Sequence, residues 1–218
     1  MSQQHNSEQV CRVVVLISGN GSNLQALIDQ QLEHGYRIAG VISNRADAYG
    51  LQRAADAGLA SHVIDHKQFD SREAFDQEMI RVIDAMDINL VVLAGFMRIL
   101  SSAFVQHYQG RLLNIHPSLL PAYKGTQTHQ RVLEAGDREH GVSVHFVTEE
   151  LDGGPVVRQA VIAVDAQDTV ETLKQRIAEQ EHRIYPEVVG WYASGRLTMT
   201  DSCATLDGNT LPPQGVRQ

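Results

Sequence analysis

The chain has 218 residues, 43% of them hydrophobic and 20% charged, with a formal net charge of -8. That length suits one substantial core, and the composition excludes a disordered or fibrous chain. The acidic balance argues against general nucleic-acid binding, which needs a basic surface to displace counterions, while leaving room for a local basic pocket that takes a small anion.

Residues 1–9 are polar and hold no apolar run that reads as a signal peptide, and Cys11 and Cys203 lie far apart without a C-x-x-C spacing. A reducing cytoplasm is the expected setting. The apolar runs at 13–17 and 90–94 fall short of a membrane span and read as buried strands. We expect a polar extension over 1–11, a single domain over 12–199, and a mobile or surface-packed tail over 200–218, where turn signals such as Asp207-Gly208 and Pro212-Pro213 gather.

Residues 12–18 read as a strand buried on both faces of a parallel sheet. The turn Gly19-Asn20-Gly21-Ser22-Asn23 follows, and a helical pattern starts at Leu24. Free backbone N–H groups and the positive end of a helix dipole meet at such a junction, so it suits an anion, phosphate first. The turn lacks the Gly-Lys-Ser/Thr of an ATP loop and the third glycine of a dinucleotide fingerprint, which disfavours ATP and NAD. It could equally be a tight packing turn, with Ser22 and Asn23 serving as ordinary N-cap residues.

A second strand is expected at 36–43, a helix at 49–57 ended by Gly58, and a short strand at 62–64. Asp70-Ser71-Arg72-Glu73 has the spacing of a capping box, opening a helix whose apolar positions are Phe75, Met79, Val82, Ile83 and Met86. With a strand at 90–94, strands and helices alternate as in a Rossmann-like parallel sheet. Residues 95–100, with Met97, form an apolar loop that either walls a flat heteroaromatic ligand or simply leads into a helix at 102–107.

The segment 112–121 reads Leu-Leu-Asn-Ile-His-Pro-Ser-Leu-Leu-Pro. Alternation along a strand puts Asn114 and His116 on one face, and Pro117 ends the strand there. An amide beside an imidazole at a strand's carboxyl end could serve a carbonyl that becomes an oxyanion, although an Asn-x-His before a proline also occurs with no such task. A helix is expected at 128–135. Strands at 141–147 and 156–164, joined by a turn with two glycines and a proline, form an antiparallel hairpin, and Asp152 in that turn could merely bond its own backbone. Asp168-Thr169-Val170-Glu171 reads as a second capping box. Glu181 falls on the apolar stripe of the helix that follows. It needs a partner, either a substrate ammonium or a neighbouring Lys or Arg. The ten histidines show no H-E-x-x-H spacing, and no metal is expected.

Four strings taken together resemble the phosphoribosylglycinamide formyltransferase family: Leu-Ile-Ser-Gly-Asn-Gly-Ser-Asn-Leu-Gln at 16–25, Leu-Ala-Gly-Phe-Met-Arg-Ile-Leu at 93–100, Leu-Asn-Ile-His-Pro-Ser-Leu-Leu-Pro at 113–121, and His-Phe-Val-Thr-Glu-Glu-Leu-Asp-Gly-Gly-Pro at 145–155. The resemblance covers about residues 12–199. It implies an α/β Rossmann-like formyltransferase fold, mostly parallel with an antiparallel hairpin in its C-terminal half. It also implies transfer of a formyl group from the co-substrate 10-formyltetrahydrofolate to glycinamide ribonucleotide in purine synthesis. By motif, the family's catalytic residues fall on Asn114, His116 and Asp152. Its ribonucleotide site falls on Gly21, Ser22, Asn23 and Glu181. Its folate site falls on Arg72, Met97, Arg98, Ile99, Leu100, Asn114, Thr148 and Leu151. Ala122-Tyr123-Lys124-Gly125 departs from members that carry a proline before the glycine. The expected protein is a cytoplasmic enzyme, a monomer or weak homodimer, with no nucleic-acid or membrane partner.

The chemistry fits that assignment. Amine attack on the formyl carbon puts negative charge on its oxygen, and an Asn114 N–H with a protonated His116 would stabilise it, each such donor being worth about 2.7 to 4 kcal/mol. Free histidine titrates near 6.5, so an ionised Asp152 close by would favour the imidazolium. Asp152 could also accept the ammonium proton, directly or through water. Water or an aminoacyl-tRNA as acceptor, and a non-catalytic metabolite sensor, are the competing readings. Against the first two, we expect neither an N-terminal regulatory segment nor a C-terminal RNA-binding domain, and the phosphate loop suits a ribonucleotide. A sensor would have no use for Asn114, His116 and Asp152 together.

Overall fold

A computed structural model describes residues 10–218, so 1–9, most of the expected polar extension, lie outside the described residues. The elements run β1 (Cys11–Ile17), α1 (Ser22–Gln30), β2 (Tyr36–Ser43), α2 (Gly50–Asp56), β3 (Ser61–Val63), α3 (Arg72–Asp84), β4 (Leu90–Leu93), α4 (Ser102–His107), β5 (Leu112–His116), α5 (Thr128–Ala135), β6 (Glu139–Phe146), β7 (Val156–Ala163) and α6 (Val170–Ala193). Four short strands follow: β8 (Leu197–Thr200), β9 (Cys203–Leu206), β10 (Asn209–Thr210) and β11 (Val216–Arg217).

Strand β1 explains the layering. Successive side chains alternate faces. Val13, Val15 and Ile17 pack into one apolar cluster with α1 and α6 residues such as Leu24, Leu27 and Ile184. Val14 and Leu16 join a second cluster with Phe75, Met79 and Ile83 of α3. A strand buried on both faces gains nothing from polar alternation, hence its unbroken apolar run.

The main sheet has the order β11-β7-β6-β5-β4-β1-β2-β3. The pairs β3-β2-β1-β4-β5 are parallel, whereas β5-β6 and β6-β7 are antiparallel. Strand order reverses between β1 and β4, so the loops after these two strands part at the carboxyl edge and leave a crevice, the usual ligand position in open α/β sheets. The parallel Rossmann-like half and the C-terminal hairpin match the sequence expectation.

Three local readings are corrected. The cap of α3 is Ser71, which accepts from Ala74 N at 3.1 Å; it is not a box begun by Asp70, because the first turn starts at Arg72. The reciprocal box of α6 joins Thr169 and Thr172, with Asp168 outside it accepting from Asp165 N and Thr172 Oγ1. Helix α1 starts two residues earlier than its apolar pattern, with Gly21 at φ 75° as N-cap and no side-chain cap. The segment after 199 is built into sheets. The boundary drawn at 199 falls inside β8, β8-β9-β10 form their own antiparallel sheet, and β11 pairs with β7. Its polar composition hid this because short edge strands need little apolar content.

Tyr185 of α6 ties the layers together. Its ring is fully buried, and its hydroxyl donates to Leu93 O at 2.9 Å and Leu113 O at 3.2 Å, at the ends of β4 and in β5. Tyr185→Phe is expected to lower stability by about 1 to 2 kcal/mol in urea unfolding, the cost of one buried hydrogen bond with its acceptors left short. Unchanged stability would show that these carbonyls need no third partner.

Candidate active site

The antiparallel register of β5 and β6 sets Asn114 opposite His145 and His116 opposite Ser143. The turn after β6 then folds back and presents Asp152 to both histidines. His116 Nδ1 lies 3.5 Å from Asp152 Oδ2, with both side chains 8% exposed, and His145 Nε2 lies 3.8 Å from Oδ1. The first is an ion-pair distance rather than a tight hydrogen bond. The other nitrogen of His116, Nε2, donates to Tyr123 O at 2.9 Å. Asn114 Nδ2 lies 3.1 Å from His145 Nε2. The three residues expected to act together are thus gathered at one carboxyl edge.

Asp152 is not the self-bonding turn residue that its surroundings suggested. Its backbone is left-handed at φ 47°, a region aspartate tolerates, and its carboxylate accepts from Gly125 N at 2.9 Å, across 27 residues of sequence. Gly154 makes the turn possible. A Cβ there would meet Phe146 O, because the returning backbone lies against β6.

The second group sits around the glycine turn. The first backbone N–H groups of α1 have no side-chain cap, and Arg53 brackets the turn, donating to Asn20 O at 2.9 Å and Asn20 Oδ1 at 3.1 Å. Gly21 approaches α2 so closely that a Cβ on it would stand 2.7 Å from Gly50 Cα. Ser22 and Asn23 therefore serve as first-turn residues, not caps. The partner of Glu181 within the chain is the amide of Asn23, Nδ2 to Oε2 at 2.9 Å, rather than a neighbouring Lys or Arg. Burial pushes the Glu181 carboxyl up, and the Asn23 hydrogen bond opposes that only in part. Asn23 Oδ1 and His182 Nε2 are buried without a partner among the described residues, the kind of atoms a polar ligand satisfies.

The expected folate residues are spread more widely. Met97 and Ile99 are 73% and 60% exposed, Arg98 is exposed, Leu100 is half-buried, and Leu151 is 52% exposed. The loop's start is fixed by Met97 N donating to Ser18 Oγ at 2.8 Å, and Ser18 in turn donates to Asn44 Oδ1 at 2.6 Å. Its end is fixed by Ser101 N donating to the buried Asp76 carboxylate at 2.5 Å. Arg72 opens α3, one turn before Asp76, and its guanidinium pairs with Glu73 at 3.2 Å rather than joining the Asn114 group. Thr148 and Asp152 border a groove of about 760 Å³ that runs between Gln106 of α4, with Gln109 just beyond the helix, and the tail residues Met199 and Pro212. Residues 97–100 and Leu151 do not line it.

Sequence reasoning missed His145, His182, Arg53 and the backbone of Tyr123 and Gly125. His145 had a visible signal, since Ser143 and His145 share one face of an alternating strand, but the register that sets it against Asn114 was not readable. Burial pushes its ring down to about 4, with the hydrogen bond to Phe146 O and then Asp152 opposing, and His116 and Lys124 adding to the shift. His140 is also pushed down to about 4, mainly by burial. Among the described residues no group of three or more His, Cys, Asp and Glu is placed to hold a metal ion, and no helix is long and apolar enough to cross a membrane.

A formyl transferase family model matches residues 11–189. The chain is 58% identical over 205 residues to phosphoribosylglycinamide formyltransferase of Escherichia coli, covering 93% of this chain and 97% of that protein. It is 47% identical to the Haemophilus influenzae protein of the same name, covering 94% and 97%. The solved phosphoribosylglycinamide formyltransferase of Coxiella burnetii superposes with a TM-score of 0.93 at 53% identity, covering 96% of this chain and 99% of that one.

Two pH effects follow from the buried groups. His140 and His145 refuse protons in the folded state that the unfolded chain binds below about 6.5. Stability is therefore fully present above that value and is lost toward pH 4, by about 1.4 kcal/mol per pH unit for each group. Urea titrations from pH 7 to 4.5 measure it, and replacing His140 by Gln should reduce the slope. Glu181 has the opposite sign. Its raised carboxyl makes the fold lose stability as pH rises past 4.5, so Glu181→Gln is expected to be more stable than the parent at pH 7 and to show a smaller gain at pH 4.5. A variant less stable at pH 7 would assign Glu181 a structural ion-pairing role.

Proposed function

The chain belongs to the formyl transferase family, and we infer from that membership and from its site how it works as a phosphoribosylglycinamide formyltransferase. It transfers a formyl group from 10-formyltetrahydrofolate to the amino group of glycinamide ribonucleotide in purine synthesis. The observation that carries the mechanistic reading is the approach of His116 Nδ1 to the Asp152 carboxylate at 3.5 Å, beside the Asn114 amide.

In this reading the amine of the ribonucleotide attacks the formyl carbon. A C–N bond forms and the carbonyl electron pair moves onto oxygen. Asn114 donates one N–H to that oxygen and His116 donates through Nε2, while Asp152 faces the charged ring from the Nδ1 side. In the structure Nε2 donates to Tyr123 O at 2.9 Å, so the developing oxyanion takes over the position of that carbonyl. The ammonium formed on attack then loses a proton to Asp152, directly or through water. Collapse re-forms the carbonyl and breaks the bond to N10 of the folate, which takes up the proton that Asp152 accepted, directly or through water, and leaves as the neutral amine.

Binding divides between the two groups of residues. Gly21, Ser22 and Asn23 offer backbone N–H groups to the phosphate, with the Arg53 charge nearby and Glu181 on the substrate side. Met97, Ile99 and Leu151 present exposed apolar surface of the kind a flat aryl ligand covers, flanked by Arg98, Leu100 and Thr148, while Arg72 offers a cation to the folate's carboxylates. A cytoplasmic setting belongs to the same proposal, supported by two cysteines that are both free.

Formyl release from 10-formyltetrahydrofolate, followed spectroscopically, is expected only when glycinamide ribonucleotide is present. Release in its absence would make the chain a hydrolase. His116→Ala is expected to lower kcat by roughly a hundredfold or more while calorimetry still detects ribonucleotide binding. Near-normal turnover in that variant would remove His116 from the mechanism.

A further inference from the structure

The amide of Asn114 has two orientations that differ only by exchanging N and O, and only one of them leaves an N–H for the oxyanion. What sets the orientation is beside it. His145 Nδ1 lies 2.8 Å from Phe146 O. A carbonyl oxygen only accepts, so Nδ1 carries the proton. Burial keeps the ring neutral, and Nε2 is therefore a bare acceptor. Asn114 lies 3.1 Å from that Nε2, and it can answer an acceptor only with its NH2 group. The flipped amide would set its oxygen against a second acceptor. With one N–H given to His145, the other has no partner among the described residues, and the amide is only half-buried.

We propose that His145 is a positioning residue for formyl transfer. Its Nδ1–H tautomer, locked by Phe146 O, holds the Asn114 amide so that one N–H points at the forming oxyanion.

The local backbone is built around this contact. Asn114 and His145 are directly opposed across β5 and β6. On the other side of β6, pairing with β7 shifts register between Val144 and His145, which are matched to Arg158 and Val156. Strand β7 thus uses an extra residue, Val157, beside His145. Such bulges re-aim side chains next to functional sites. The groups that bear on the ring's charge are Asp152, His116 and Lys124, and His145 is 2% exposed.

The proposal rests on the formyl-transfer reading, and two substitutions test it separately. Asparagine at 145 reaches the Nδ1 position but carries no acceptor at Nε2, whereas glutamine places an acceptor near Nε2. His145→Asn is expected to lower kcat roughly 10- to 100-fold, below the loss from deleting an oxyanion donor outright. KM for both substrates should stay within about twofold. His145→Gln should recover kcat to within about threefold of the parent. In an Asn114→Ala background, His145→Asn should add almost nothing to the residual rate, since the two residues act through one contact.

Equal losses in the Asn and Gln variants, a change confined to KM, or additive losses with Asn114→Ala would overturn the positioning role. If His145→Asn does not fold, the Gln variant decides alone, and a loss of more than tenfold in kcat counts against the proposal. Failure of the underlying reading looks different: Asn114→Ala with His145 intact would then retain near-normal turnover.

Discussion

The antiparallel register between β5 and β6 is the constraint on which the site depends. Side chains alternate along a strand, so a slip of one residue would turn Asn114 and His116 away from the polar groups they face. The register is held from both sides. Leu113 and Ile115, on the opposite face from Asn114 and His116, lie in the α6-side core with Val144 and Phe146. On the polar face, Ser143 accepts from Leu120 N at 3.0 Å and donates to Ser118 O at 2.6 Å, and Gln159 of β7 donates to Leu120 O at 2.8 Å. A buried polar stripe of this kind is stable only when its members are satisfied, and here they satisfy one another and the turn that follows His116.

The rest of the crevice is set by the same sheet edge. Ser18, just past β1, bonds Asn44, just past β2, and receives Met97 N from the loop after β4. Three strand ends are thus linked by two short hydrogen bonds. The 95–100 loop can then leave Met97 and Ile99 exposed while its backbone stays anchored at Ser18 and, through Ser101, at Asp76. Exposed apolar side chains on a backbone tied at both ends form a firm wall for a flat ligand, because little ordering remains to be done on binding.

How much of this was legible in the sequence depended on the range of the interaction concerned. The apolar run of β1, the amphipathic pattern of α3 and the glycine turn before α1 are local, and local periodicity reported them. The caps were read one residue early at Asp70 and Asp168 because acidic and hydroxyl residues adjoin there and either type can cap a helix. The segment at 200–218 was read as a mobile or surface-packed tail because β8 to β10 are short hairpin strands dominated by polar and turn residues, and β11 pairs with β7, 58 residues earlier in sequence. For the site, Asn114 and His116 announced themselves by alternation, and the family resemblance added Asp152. His145 stayed unassigned, since its meaning comes from a partner 31 residues away on another strand. Within the chain the partner of Glu181 is the Asn23 amide rather than a neighbouring Lys or Arg, and that contact joins residues 158 apart in sequence.

The two ends of the crevice differ in how their polar atoms are satisfied. Around Asp152 nearly every group has a protein partner: Gly125 N on the carboxylate, Tyr123 O on His116 Nε2, Phe146 O on His145 Nδ1. Around α1, by contrast, Asn23 Oδ1 and His182 Nε2 are buried without one among the described residues. A buried polar atom left unpaired costs roughly 1 to 3 kcal/mol, so satisfying such atoms favours association outright. Exchanging one acceptor for another at His116 is close to neutral until the incoming oxygen carries more charge than a carbonyl does. The α1 end is therefore suited to ground-state binding of a polar ligand. In the proposed mechanism, Tyr123 O at the Asp152 end competes well with a substrate carbonyl and poorly with an oxyanion, so the advantage there grows as the transition state is approached.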